Sequence, residues 1–217
     1  MEMTLCIDNL TFKRRGFQLK NINLQLEPGY IYAIAGENGS GKTTLLETLV
    51  YENRSYKGRI YYQGIDIRKN HSACMREIGF VSENRAFFEN RSCMQNVEIL
   101  GLLYESFDLE YWKKLMNKME VSVSKTYGKM SRGERMKFQV AFAAAAGCKL
   151  LLLDEATAGM DPVFRIEFFD LLRELLLKDV TVLMTSHNMT EIVKQTDYVA
   201  FMENGCLGDF EESMEVK

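Results

Sequence analysis

The chain holds 217 residues, 47% of them hydrophobic and 26% charged, and its 27 basic against 30 acidic side chains leave a net charge of -3. A chain of this length and composition can bury a core without disulfides or a structural metal, which excludes disorder as the dominant state. The slightly acidic balance argues against a nucleic-acid backbone as main partner, because that would call for a basic patch.

From the N-terminus, apolar positions alternate with polar ones at Leu5 and Ile7. They do so again, past the basic run Lys13-Arg14-Arg15, at Leu19, Ile22, Leu24 and Leu26. Alternation of this kind predicts antiparallel strands joined at a charged turn and ending at Glu27-Pro28-Gly29. Tyr30 to Ala35 is continuously apolar, as expected of a strand buried on both faces. Next come Gly36-Glu37-Asn38-Gly39-Ser40-Gly41-Lys42-Thr43 and a helical stretch from about Lys42 to Val50.

That glycine-rich segment fits G-x-x-x-x-G-K-[ST] at every fixed position. Glycines let the backbone turn so tightly that successive N–H groups converge on phosphate oxygens. The following helix directs its positive end at the same anion. Lys42 adds a point charge for the β- and γ-phosphates, and the Thr43 hydroxyl is a ligand for Mg²⁺. The expected cradle runs from Gly36 to Thr44.

From about Arg85 to Glu120 the spacing of Val97, Leu100, Leu103 and Tyr104, then of Leu109, Trp112, Leu115, Met116 and Met119, predicts two helices. Ser92 and Asp108 are their expected N-caps. Trp112 is expected in a core or on a docking surface. Farther on, the short apolar runs Leu150–Leu153 and Val180–Met184 flank a helical pattern from Val163 to Leu177. Strand, helix, strand predicts a parallel sheet with right-handed crossovers.

Asp154 and Glu155 end the first of those runs, at the edge where open α/β sheets bind ligands. There Asp154 suits an Mg²⁺ shell, and Glu155 suits a general base that polarises water. Taken alone, both acids would equally serve to cap the helix starting near Asp161. The five cysteines are scattered without a CxxC pair, and His71 and His187 lie near no cysteine cluster, so a reducing compartment without zinc or disulfides is expected. MEMTLCIDNL lacks a basic leader and a long apolar run. The longest uncharged apolar stretch, Phe138–Cys148, is too short to span a bilayer, so any membrane work is expected to run through a partner.

Read in order, the motifs resemble those of the ATP-binding cassette (ABC) family, specifically the ATPase subunits of bacterial transporters, over about Leu5 to Asp209. Met130-Ser131-Arg132-Gly133-Glu134 stands where that family has its signature, usually LSGGQ. Asp154 to Asp161 is similar to its second acidic motif and D-loop, Thr185-Ser186-His187 to its switch-histidine segment, and Ile78 to Glu83 to the strand leading into its Q-loop. A small-molecule P-loop kinase would leave the signature and His187 unexplained.

The resemblance implies an α/β fold: a P-loop NTPase core with a mainly parallel sheet, an N-terminal antiparallel β subdomain and an inserted α-helical subdomain. Residues of about 1–84 and 135–217 would form the core and about 85–134 the insertion, in a single ATPase domain. It also implies ATP hydrolysis by Lys42, Glu155 and His187, with Mg²⁺ held by Thr43, Asp154 and Glu83. Two such domains, as homodimer or heterodimer, would close head to tail, the Gly36–Thr44 loop of one facing Ser131 and Gly133 of the other across ATP. Partner transmembrane permease subunits would dock near Phe87, Phe88 and Met94, placing the chain peripherally on the cytoplasmic face of the bacterial membrane, with no direct nucleic acid.

Departures from the family pattern are Arg132 for a small residue, Glu134 for Gln, Glu83 for Gln and Ala156 for Pro. A carboxylate at 83 only accepts hydrogen bonds, where Gln also donates. Arg132 resembles exporter subunits, so export is the expected direction. For the adenine, Arg14 aligns with the usual stacking position, with Phe12 and Phe17 as alternatives. The alternative function is a soluble non-transport ABC ATPase with a regulatory or nucleic-acid-linked role. The acidic tail of Glu211, Glu212 and Glu215 is expected to be a solvated end.

Overall fold

The computed structural model describes residues 3–50, 55–83 and 87–214. Arg85, at the expected start of the insertion, and Glu215 of the acidic tail lie outside them. In chain order, β1 (Leu5–Arg14) and β2 (Phe17–Leu26) form the expected antiparallel pair. Its register sets Leu5 against Leu26, Ile7 against Leu24 and Phe12 against Leu19, all facing one core. After β3 (Ile31–Ala35) come α1 (Lys42–Leu49), β4 (Lys57–Tyr62), β5 (Ile65–Asp66), α2 (His71–Glu77) and β6 (Ile78–Val81). The helical segment holds α3 (Cys93–Leu100), α4 (Leu109–Lys118) and α5 (Arg132–Ala145). The chain ends with β7 (Leu150–Asp154), α6 (Pro162–Leu176), β8 (Thr181–Ser186), α7 (Met189–Gln195), β9 (Tyr198–Glu203), β10 (Cys206–Leu207) and β11 (Glu211–Glu212).

Among the described residues, β2-β1-β4-β5 make one antiparallel sheet, and β10-β9-β3-β8-β7-β6 make the other, with β11 beside β9. The run from β9 to β6 is parallel throughout. Strand alternation divides the core in two. Ile31, Ala33, Leu151, Leu153, Val182 and Met184 face α3 to α6, whereas Tyr32, Ile34, Leu150, Leu152 and Leu183 face α1 and the antiparallel sheet. Burial on both faces is why these strands read as continuous apolar runs.

Ser92 and Asp108 cap α3 and α4 as expected, accepting from the Gln95 and Tyr111 N–H groups. Trp112 is fully buried in the helical core. Two expectations change. The first insertion helix stops at Leu100, a tight turn follows over residues 101–103, and Leu103 is 71% exposed instead of continuing the apolar face. Phe107 packs over Gly101 at that turn, where a Cβ would come within 3.2 Å of its ring. Glu211 and Glu212 do present exposed side chains, but their backbone is not free: it pairs with Val199 and Tyr198 of β9. An edge strand with unpaired N–H and C=O groups recruits such a segment whatever its side chains.

Candidate functional site

β3, buried along all five residues, ends at the carboxyl edge of the sheet and hands the chain to the loop Gly36–Gly41. Gly36 has no room for a side chain: a Cβ would lie 2.3 Å from the Met202 carbonyl oxygen. Gly41 sits at φ +119°, and a Cβ there would meet the Phe17 ring at 2.5 Å. Lys42, 4% exposed, opens α1 and folds back over the loop. Its ammonium donates to the Gly36 and Glu37 carbonyls at 2.7 and 3.0 Å and lies 3.6 Å from Glu155 Oε1. Ser40 Oγ is buried with no hydrogen-bond partner among the described residues. A lysine folded over its own loop beside an orphaned hydroxyl is suited to a phosphate group, whose oxygens satisfy both.

The carboxylates stand opposite. Asp154 accepts from the Thr43 hydroxyl at 2.8 Å and from the Thr185 hydroxyl at 2.8 Å. Glu155 adopts φ +46°, a left-handed conformation costing a non-glycine residue about 1–3 kcal/mol. Neighbours on three sides hold it there. Its N–H donates to Thr185 Oγ1 at 3.1 Å, its carbonyl accepts from Arg132 at 3.4 Å, and Oε2 lies 3.2 Å from His187 Nδ1. Helix capping is left to Asp161, which accepts from the Val163 and Phe164 N–H groups at the start of α6.

Thr185 is the residue that the sequence reading missed. Fully buried at the end of β8, it donates to Asp154 while accepting from the Glu155 amide, so one hydroxyl aligns both acids. A threonine closing an apolar strand carries no signal of this; only the pairing of β7 with β8, Asp154 beside Thr185, creates it. Thr185→Val keeps the shape and strands the Glu155 N–H, a cost of about 1–3 kcal/mol. Urea unfolding should show that loss, and ATP turnover should fall with it while ATP affinity holds.

A cleft of about 420 Å³ opens over Lys42, Thr43, Thr44 and Glu155 and is also lined by Arg14 and Phe17. Its size lies within the range of small-molecule sites. Phe12 does not line it but is buried between the sheets. Glu83 pairs with Arg132 at 3.2 Å and does not line the cleft. Ser131 and Gly133 do not line the cleft either.

Ser131 instead caps α5. Its Oγ accepts from the Glu134 N–H at 3.2 Å, while the Glu134 carboxylate accepts from the Ser131 N–H at 2.8 Å and binds Lys125. The serine is exposed, and an accepting hydroxyl keeps its own proton to donate outward. Gly133 has a packing reason: a Cβ would come within 2.8 Å of the Phe164 ring on α6. Burial would raise the Glu134 pKa, but Lys125 and the Ser131 N–H together outweigh it and hold the carboxyl below its ordinary value. Stabilisation from a depressed carboxyl is complete above its unfolded pKa and is lost as pH falls through the folded one. Amide protection in the first turn of α5, taken relative to the intrinsic exchange rate at each pH, should therefore fall at acid pH before that of the core amides.

Phe87 packs on Tyr127, Phe138 and Phe142 at ring-centroid distances of 5.3, 4.8 and 5.3 Å and lines an apolar groove with Phe80 and Tyr104. Phe88 is 46% exposed, whereas Met94 packs against the helical core.

Known proteins resemble this chain in sequence and in fold. The sequence profile of the ABC transporter family matches residues 19–158. The chain is 32% identical over 200 residues to the ABC transporter ATP-binding protein YtrB of Bacillus subtilis, spanning 92% of this chain and 68% of that one. It is also 32% identical over 211 residues to the probable sulfate/thiosulfate import ATP-binding protein CysA of Chlorella vulgaris, spanning 94% and 89%. The solved structure of cbiO1 from Clostridium perfringens, part of the ABC transporter complex cbiONQ, superposes with a TM-score of 0.84 at 24% identity over 99% of this chain and 90% of that one, a likeness of fold. With a phosphate loop, paired acids and a capped signature helix on a P-loop NTPase sheet, the chain belongs to the ABC transporter family as an ATP-binding, ATP-hydrolysing subunit.

Proposed function

We propose that this chain powers a transmembrane permease from the cytoplasmic face of a bacterial membrane, as one of two ATPase domains that close head to tail on ATP. One observation carries the reading. Lys42 and Glu155 line a cleft that Ser131 and Gly133 do not, with His187 beside Glu155, while Ser131 sits exposed at the N-terminus of a fourteen-residue helix with a proton to donate. A second domain would supply the absent wall. The helical subdomain of about 85–134 would carry that signature within a single ATPase domain.

In the closed pair Lys42 would exchange its loop carbonyls for β- and γ-phosphate oxygens. Thr43 and Asp154 offer the oxygen donors a hard cation prefers, and Mg²⁺ bound there would neutralise phosphate charge. Glu155 would take the proton of the attacking water as its oxygen bonds to the γ-phosphorus and the bond to the β-phosphate oxygen breaks. His187, beside Glu155, would contact the γ-phosphate. Arg14 or Phe17, both lining the cleft, would stack on the adenine.

Among the described residues no helix is long and apolar enough to cross a membrane, so the permease would supply the membrane passage. Arg132 in the signature favours export, yet one relative is named for import; direction is to be read from the permease. The full chain, solubilised with its native membranes, should bring down a polytopic membrane protein. Recovery with ribosomes or DNA in its place would overturn the proposal.

A further inference from the structure

Two of the departures from the family pattern, Glu83 and Arg132, touch each other. Arg132 Nη2 lies 3.2 Å from Glu83 Oε2, and the same nitrogen donates to the Glu155 carbonyl at 3.4 Å. We propose that Glu83 and Arg132 are one device: Arg132, acting within its own chain, positions the base Glu155, and Glu83 aims the arginine. The inference rests on the reading of Glu155 as the base.

Stability is a poor explanation for the pair. Its side chains are 36% and 63% exposed, and ion pairs so open to solvent contribute about 0–1 kcal/mol. Geometry explains it better. Glu155 is held in a left-handed conformation: Thr185 bonds its amide, and its carbonyl accepts from the Ala158 N–H at 3.1 Å within the turn that follows and from Arg132 across the fold. Residues 82–83 are themselves tied to α5. The Gln139 side chain, 3% exposed, donates to the Ser82 carbonyl at 3.1 Å and accepts from the Ser82 N–H at 3.2 Å, as a neighbouring strand would. Gln139 lies seven residues, two helical turns, beyond Arg132, which puts both on one face of α5. The helix thus grips the end of β6 at two points, and its first residue reaches across to Glu155. An unaimed Arg132 has no fixed direction, and Glu83 supplies one.

The test is a double-mutant cycle on ATP hydrolysis by the full chain, with ATP-induced pairing as a second readout. Arg132→Ala should lower kcat about tenfold and leave the KM for ATP within about twofold, the pattern of a lost positioning contact. Glu83→Ala should lose about threefold, and the double variant should be no worse than Arg132→Ala, because the two losses share one path. Glu83→Gln, whose amide oxygen still accepts from the guanidinium, should recover most of that threefold. Arg132→Lys, which keeps the charge without the fork, should fall between Arg132→Ala and the parent and serves if the alanine variant does not fold. In a Glu155→Gln background, Arg132→Ala should still pair on ATP. Losses that multiply, a KM effect without a kcat effect, or loss of ATP-induced pairing would each overturn the inference; the last would place the arginine on the opposing nucleotide. Normal turnover in Glu155→Gln alone would instead remove the base, leaving the cycle between 83 and 132 to report on the pair.

Discussion

Replacing Glu155 with Gln should leave ATP bound and nearly stop its hydrolysis. The substitution keeps the shape and the oxygen that faces His187 Nδ1 at 3.2 Å, so the left-handed turn and its neighbours have no cause to move. What disappears is the ability to take a proton. A positioned general base contributes about 10²- to 10⁴-fold, and kcat should drop by that factor, equivalent to about 3–5 kcal/mol of barrier. Lys42, 3.6 Å from the same carboxylate, loses a counter-charge, which if anything frees it for phosphate. Single-turnover hydrolysis beside equilibrium nucleotide binding separates the two effects. Turnover within a factor of a few of the parent would take Glu155 out of the chemistry.

Lys42→Ala should fail one step earlier, at binding. Among the described residues the ammonium is the one buried cation lining the cleft, and it is engaged by two loop carbonyls and Glu155. A hydrogen bond to a charged group contributes about 1.5–3 kcal/mol, so ATP affinity should weaken about 10- to 150-fold. The loop itself should loosen, because the Gly36 and Glu37 carbonyls lose their donor. Titration with a fluorescent ATP analogue reads the affinity. A change under twofold would mean that the lysine only staples its own loop.

How much of the site could be read from the chain depended on how far apart its parts lie. The phosphate loop is eight consecutive residues whose glycines, lysine and threonine act on neighbouring atoms, so its function is written locally. The capping of α3, α4 and α5 is equally local: a side-chain oxygen and an amide two or three residues on. The strands were legible because burial on one face or both leaves an alternating or a continuous pattern. Position 103 misled because helical spacing continued past the glycine where the helix gives way to a turn.

Contacts between distant segments left no such trace. Ser82 and Gln139 are 57 residues apart, and Thr185 lies 31 residues from the Asp154 it steadies. Glu83 and Arg132, which pair at 3.2 Å, lie 49 residues apart. Gly133, expected as a phosphate donor, is also the gap into which Phe164 packs.

By itself, the sequence determined the phosphate loop, the strands and helices around it and in the insertion, and the acids at the strand end, because these follow from local backbone freedom and hydrophobic period. Only the tertiary structure decided which hydroxyl aligns those acids, that Glu83 pairs with Arg132, and that Ser131 is not part of its own chain's cleft lining. Each of these is set by the register of parallel strands and the packing of α5 and α6, and such non-local geometry imposes no pattern along the chain.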